Sequence, residues 1–144
     1  MPQRNIRSII EQQELVIAPA DTTVSEAARL MKQRHVGAVM VVEDNRLVGV
    51  FTERDALFRV VAEERDGKST QLAAVMTRNP QTVHPDKPFA HALQMMYQGG
   101  FRHVPVVEND QPIGIVSVRD ALGPELEAFV YELLLQERID EVLA

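Results

Sequence analysis

Apolar positions along the chain follow two rhythms, and each rhythm occurs twice. Val24, Ala27, Ala28 and Met31 have the i, i+3, i+4, i+7 spacing of one helix face, and Phe89, Ala92, Leu93 and Met96 repeat it. A short apolar strand is predicted before each helix, at residues 15–18 and 81–84. A proline loop follows each strand, Pro19-Ala20-Asp21 and Pro85-Asp86. After each helix come two β-branched runs around a polar turn. In the first copy these are residues 38–42 and 47–51 about Glu43-Asp44-Asn45-Arg46. In the second they are residues 104–107 and 113–116 about Glu108-Asn109-Asp110-Gln111. Such runs on either side of an Asp/Asn turn predict a hairpin. A second helix is predicted from Thr52 and again from Ser117.

The copies share one register. Val41-Val42-Glu43 matches Val106-Val107-Glu108, and residues 49–57 match 114–122, both at an offset of 65 residues. The same offset pairs Ala27 with Ala92, Met31 with Met96 and Gln33 with Gln98. A fixed period of this kind marks a duplicated supersecondary unit, here βαββα. The expected organisation is an N-terminal extension at 1–14, a first unit at 15–70 and a second at 71–122. The first unit's second helix carries Ala56, Leu57, Val60 and Val61 and is expected to end near Asp66-Gly67, with 68–70 as a linker. Gly123-Pro124 then opens a C-terminal helix over 123–144. Leu126, Phe129, Val130, Leu133, Leu134 and Val142 are expected on its apolar face, for packing on its own module or, the favoured reading, on a second copy.

Composition narrows the class. The chain of 144 residues is 45% hydrophobic and 25% charged, as globular domains are. A formal net charge of −6 removes the overall basic footprint of a nucleic-acid binder. The absence of cysteine excludes a disulfide scaffold and thiolate metal sites. MPQRNIRSII has no apolar signal-peptide run, and apolar stretches such as 37–42 are far too short to cross a bilayer. A cytoplasmic location is expected, with no membrane or nucleic-acid partner. His35, His84, His91 and His103 lack metal-ligand spacing, so no metal site is expected. There is no G-x-S-x-G, no Walker lysine and no G-x-G-x-x-G, and the chain is not expected to be an enzyme.

Each copy closes with Gly-h-x-Thr/Ser-x-x-Asp, where h is apolar. With Val75-Met76-Thr77-Arg78-Asn79-Pro80 and residues 99–107, this makes roughly 16–122 resemble the CBS-domain pair, named after cystathionine β-synthase, in its small stand-alone bacterial form. The resemblance implies an α/β fold of two tandem βαββα units packed sheet to sheet as a Bateman module. It implies two clefts for adenosine-containing ligands, such as AMP, ADP, ATP, NAD or S-adenosylmethionine. It also implies a homodimer that signals to an unidentified partner protein, with an adenine nucleotide as regulatory ligand and no required cofactor. The alternative is a ligand-free structural or dimerisation module.

The residues themselves support such a site. Gly49–Asp55 joins a strand to a helix N-terminus, whose unpaired N–H groups suit a phosphate. The Thr52 hydroxyl can donate to a phosphate oxygen, and Arg54 adds a guanidinium. Asp55 can accept hydrogen bonds from both ribose hydroxyls, as the acidic residue of dinucleotide folds does. Ser117, Arg119 and Asp120 repeat the set. Thr-x-x-Asp and Ser-x-x-Asp also match a capping box, which needs no ligand; repetition in register with an arginine favours the ligand. By the resemblance, Ile17, Ala18, Gly37, Ala38 and Val39 complete the first site, with the backbone near Gly37 against adenine. Thr82, Arg102, His103, Val104 and Pro105 complete the second. Gly37 would let a flat ring approach its backbone, and Met40 could pack on the base. Arg102 adds positive charge at the corresponding place. Two unequal clefts are expected, the second better suited to a phosphate-bearing ligand.

Overall fold

A computed structural model describes residues 4–143. The β-branched runs form two antiparallel hairpins. The first joins β2 (Ala38–Glu43) to β3 (Arg46–Thr52), and the second joins β5 (His103–Glu108) to β6 (Gln111–Ser117). Their tight turns, Asp44-Asn45 and Asn109-Asp110, have φ between 50° and 64° at all four residues. Two consecutive positive φ values give the turn whose twist matches a hairpin. The ladders slip at Val41/Val42 and again at Val106/Val107, so even the irregularity keeps the offset of the repeat. The predicted helices α2 (Val24–Arg34) and α5 (Phe89–Gly99) also lie in register. Thr23 and Glu26 start α2 with a full capping box. Both helices end on a left-handed residue, His35 at φ 55° and Gly100 at φ 72°.

Other elements depart from expectation. The first strands are shorter than 15–18 and 81–84. Only β1 (Ile17–Ala18) forms, parallel to β2, and the second copy keeps a single bridge from Val83 to Val106. Prolines at 19, 80 and 85 lack the N–H that a longer ladder needs. The first copy's second helix, α3 (Glu53–Asp55), continues as π-helical turns over Ala56–Val61 and stops short of Asp66-Gly67. In the second copy only a 3-10 turn, Val118–Asp120, precedes the last helix.

Three elements were not predicted: α1 (Ile6–Ile10), α4 (Leu72–Val75) and β4 (Thr77–Arg78). They change how the units are divided. Val39, Val41 and Phe51 form the first core with Val24, Ala27 and Met31, and Leu72, Val75 and Met76 join them. Strand β4 pairs with β3 to complete a sheet of order β1-β2-β3-β4. Residues 72–78, numbered with the second unit by sequence, therefore pack in the first. Reciprocally, Val104, Val106, Val116, Phe89 and Met96 form the second core with Ile6 and Ile10. Within the expected N-terminal extension, α1 fills part of the second core. Ile10 and Val75 are themselves 65 residues apart, so α1 and α4 are counterparts, each packed on the other copy.

Ala38, Met40 and Val50 face away from the first core yet are 5% exposed or less. Strands buried on both faces need a layer on each side, and here β6 packs across β3. The two sheets therefore pack face to face. The last helix, α6 (Gly123–Leu143), touches this body mainly through Phe129, which meets Tyr97 edge to face at 6.3 Å. Its expected stripe is mostly uncovered, with Leu126, Val130, Leu134 and Val142 all exposed, as are Tyr131, Leu135 and Ile139 elsewhere on the helix.

Ile6 is fully buried. Ile6→Ala is expected to cost about 2–5 kcal/mol, as large-to-small core changes do, measured by urea or thermal unfolding. A cost near zero would mean that α1 does not belong to the second core.

Candidate functional site

Strand β3 delivers the chain into the turn Thr52–Asp55. The Thr52 N–H donates to Asp55 Oδ2 at 3.0 Å, and the Asp55 N–H donates to Thr52 Oγ1 at 3.2 Å. The capping reading of Thr-x-x-Asp is therefore realised. Asp55 is the one buried charged side chain among the described residues, at 6% exposure. A carboxylate so far from water needs partners. The Thr77 hydroxyl donates to it at 3.3 Å, and Arg59 Nε lies 3.5 Å away. Thr77 reaches Asp55 because β4 sets Thr77 opposite Val50.

A cavity of about 870 Å³ opens beside this turn, within the size range of small-molecule sites. Thr52, Glu53, Arg54, Asp55, Arg59 and Thr77 stand on its polar wall from the first copy. Arg102 and His103 face it from the second copy, and Leu57, Phe58 and Phe101 add apolar surface. The cleft thus joins residues that sequence reasoning had divided between two sites. Thr52, Arg54 and Asp55 of the first set meet Arg102 and His103 of the second.

The other predicted residues stand elsewhere. Ile17 is exposed on β1, while Ala18, Ala38 and Val39 are buried in the first unit, and none lines the cavity. Met40, 1% exposed, lies between the sheets and not on a ligand face. A Cβ on Gly37 would stand 3.0 Å from Glu53 Oε1 and 3.2 Å from His103 Nε2. The ends of those two side chains occupy the space that the glycine leaves. Arg54 is also engaged: its Nη1 donates to the Gly100 carbonyl at 2.8 Å, tying the turn to the end of α5. Thr82 is exposed and Val104 and Pro105 are buried, all off this cavity. Ser117, Arg119 and Asp120 belong to the second turn, where the Ser117 N–H donates to Asp120 Oδ2 at 2.7 Å. Arg4 braces that turn by donating to the Asp120 carbonyl at 2.7 Å and pairing with Glu125.

Thr77, Arg59 and Phe101 were missed as site residues. Thr77 stands in the quoted Met-Thr-Arg-Asn-Pro segment, but only the pairing of β4 with the first copy gives it a role. His84, Asp86 and Glu108, passed over on spacing, do converge to within 4.8 Å. Arg7 pairs with both carboxylates, at 2.9 and 2.7 Å, and its guanidinium supplies the positive charge there.

His103 sits between the two turns. Burial pushes its imidazole below the ordinary histidine range, and Arg102 and Arg119 act in the same direction, against Glu53 and Asp120. The unfolded imidazole, near 6.5, therefore binds a proton that the folded one resists. Stability is present in full above that value and is lost as pH falls below it. Replacing His103 with Asn is expected to flatten the loss between pH 7 and 5.5 in thermal unfolding. An unchanged slope would remove His103 as its source.

Two stretches of the chain, residues 6–62 and 72–124, match the model of one family, the CBS domain. The CBS domain-containing protein YhcV of Bacillus subtilis (strain 168) is 35% identical over 116 residues, 81% of each chain. The CBS domain-containing protein CBSCBSPB1 of Arabidopsis thaliana is 35% identical over 121 residues, 83% of this chain. The chain spans only 22% of the length of that relative. Among solved structures, the CBS domain protein PAE2072 from Pyrobaculum aerophilum, complexed with AMP, superposes with a TM-score of 0.79 at 25% identity. That match covers 89% of this chain and 99% of the other. The CBS domain pair of protein MJ0100, in complex with 5′-methylthioadenosine and S-adenosyl-L-methionine, gives 0.73 at 26% identity, over 83% and 93%.

Proposed function

The chain belongs to the CBS-domain family, as a tandem pair, and from that premise we propose that it is a non-catalytic regulatory module binding an adenosine-containing nucleotide beside Asp55. One observation carries the reading: a buried carboxylate borders a cavity of about 870 Å³ that Arg102 and His103 enter from the other copy. Asp55 accepts the ribose hydroxyls, replacing the long bonds from Thr77. The Arg102 guanidinium has no ion-pair or hydrogen-bond partner among the described residues and supplies the counter-charge for a phosphate. Leu57, Phe58 and Phe101 offer the apolar surface a purine needs. AMP in PAE2072 and the two adenosyl compounds in the MJ0100 pair support this ligand class.

Regulation follows from the bond between Arg54 and Gly100. A phosphate that draws Arg54 away loosens a tie between the copies, and a ligand with different affinity for the two arrangements shifts their populations. A second copy covers the exposed Val61 beside the cleft together with the apolar surface of α6, giving a homodimer that signals to a partner protein. No helix among the described residues is long and apolar enough to cross a membrane; a cytoplasmic location belongs to the same proposal.

A thermal-shift series with AMP, ADP, ATP, NAD and S-adenosylmethionine tests the reading. A bound ligand at 100 times its Kd adds about 2.7 kcal/mol, and Asp55→Ala is expected to abolish the shift. No shift with any of the five at millimolar concentration would leave the Thr52–Asp55 turn as a cap in a ligand-free structural module.

A further inference from the structure

The two clefts can be compared position by position, because the structure keeps the offset of the repeat in its helices, turns, ladder slips and loop bonds. The Glu53 N–H donates to the Gly37 carbonyl, and 65 residues on the Val118 N–H donates to the Arg102 carbonyl. Asn79 and Gly99 both line the first cavity. Their counterparts are Glu14 and Arg34, which form an ion pair with each other. Where the first cleft has two small or neutral residues, the corresponding positions of the other copy carry a charged pair.

The rest of the second cleft differs in the same sense. The counterpart of Thr77, whose hydroxyl reaches Asp55, is Gln12. Beside it, the Gln13 side-chain amide accepts from the Ile115 N–H and donates to the Ile115 carbonyl, both at 2.8 Å, where the first copy has the backbone ladder of β4. The counterparts of Arg102 and His103 are Gly37 and Ala38, and the space at Gly37 is already filled by Glu53 and His103. Asp120 and Arg119 still supply a diol acceptor and a guanidinium. We propose that each chain takes up one adenosine ligand, in the Asp55 cleft, and that the Arg34–Glu14 ion pair holds the second cleft closed.

This inference rests on the nucleotide reading above, and titration calorimetry with AMP separates the two. The wild-type chain is expected to bind one AMP per chain, Asp120→Ala to bind one with unchanged affinity, and Asp55→Ala to bind none. The double variant Glu14→Asn, Arg34→Gly removes the ion pair and gives the second cleft the residues of the first at those two positions. It is expected to bind two, the second event being lost again on adding Asp120→Ala. Both side chains are exposed and neither belongs to a core, so the variant keeps its fold, which circular dichroism checks. Two AMP per wild-type chain, or a single AMP in the double variant, overturns the closed second cleft while leaving the nucleotide reading intact. No binding of AMP, or of the other four ligands, by the wild-type chain overturns both.

Discussion

Val39, Val41 and Phe51 point from one hairpin into one core, while Ala38, Met40 and Val50 on its opposite face are buried against the other hairpin. A sheet apolar on both faces cannot stand alone in water, since each uncovered aliphatic side chain forgoes about 1.5–3 kcal/mol of burial. Neither copy is therefore complete by itself. The exchange of short helices deepens the dependence. Ile6 and Ile10, ahead of the first copy's strands, close the second core; Leu72 and Val75, ahead of the second copy's, close the first. Two such units fold as one body, because each lends the other a piece of its interior.

The cleft is a consequence of that interlock. Asp55 stands at the end of a strand of the first copy, and its hydroxyl partner Thr77 arrives on the exchanged segment. Arg102 and His103 begin the hairpin of the second copy and reach the cavity because the sheets face each other. Arg54 then bridges from the first turn to the carbonyl at the end of α5. A ligand in this space touches both copies at once. Its binding energy depends on how they sit together, and that dependence is the physical requirement for a sensor.

Much of this was legible in the sequence, where the signals are local. The helices over 24–34 and 89–99, the two hairpins and their Asp/Asn turns follow from periodicity and turn chemistry that act within a few residues. Gly-h-x-Thr/Ser-x-x-Asp marked the turn that carries Asp55. The composition of the cleft was not legible. Grouping Arg102 and His103 with Ser117 and Asp120 assumes that each copy builds its own site, and nothing local in the chain says that hairpin starts cross over. The helices α1 and α4, at five and four residues, are too short to show a period. Gly37 was read as room for a ligand, yet that room is occupied by Glu53 and His103, which only the packing of the sheets could show.

Duplication gave two copies of a scaffold, and the constraints on scaffold and cleft differ in kind. A left-handed helix end, a two-residue hairpin turn and a ladder slip are set by backbone geometry, so both copies retain them. Cleft positions carry no such requirement. There the copies diverge in charge: Gly37 against Arg102, Ala38 against His103, Glu14 against Asn79, Arg34 against Gly99. These differences do not scatter. They leave Arg102 without an ion-pair partner among the described residues at the first cleft, and set the Arg34–Glu14 pair at the positions that correspond to Gly99 and Asn79. For a phosphate, an arginine already held by its own carboxylate is a poorer partner than one facing an open cavity, because the anion must first displace that carboxylate. The difference between the copies is therefore one of charge, laid over a backbone that keeps the 65-residue repeat in its hairpins and in α2 and α5.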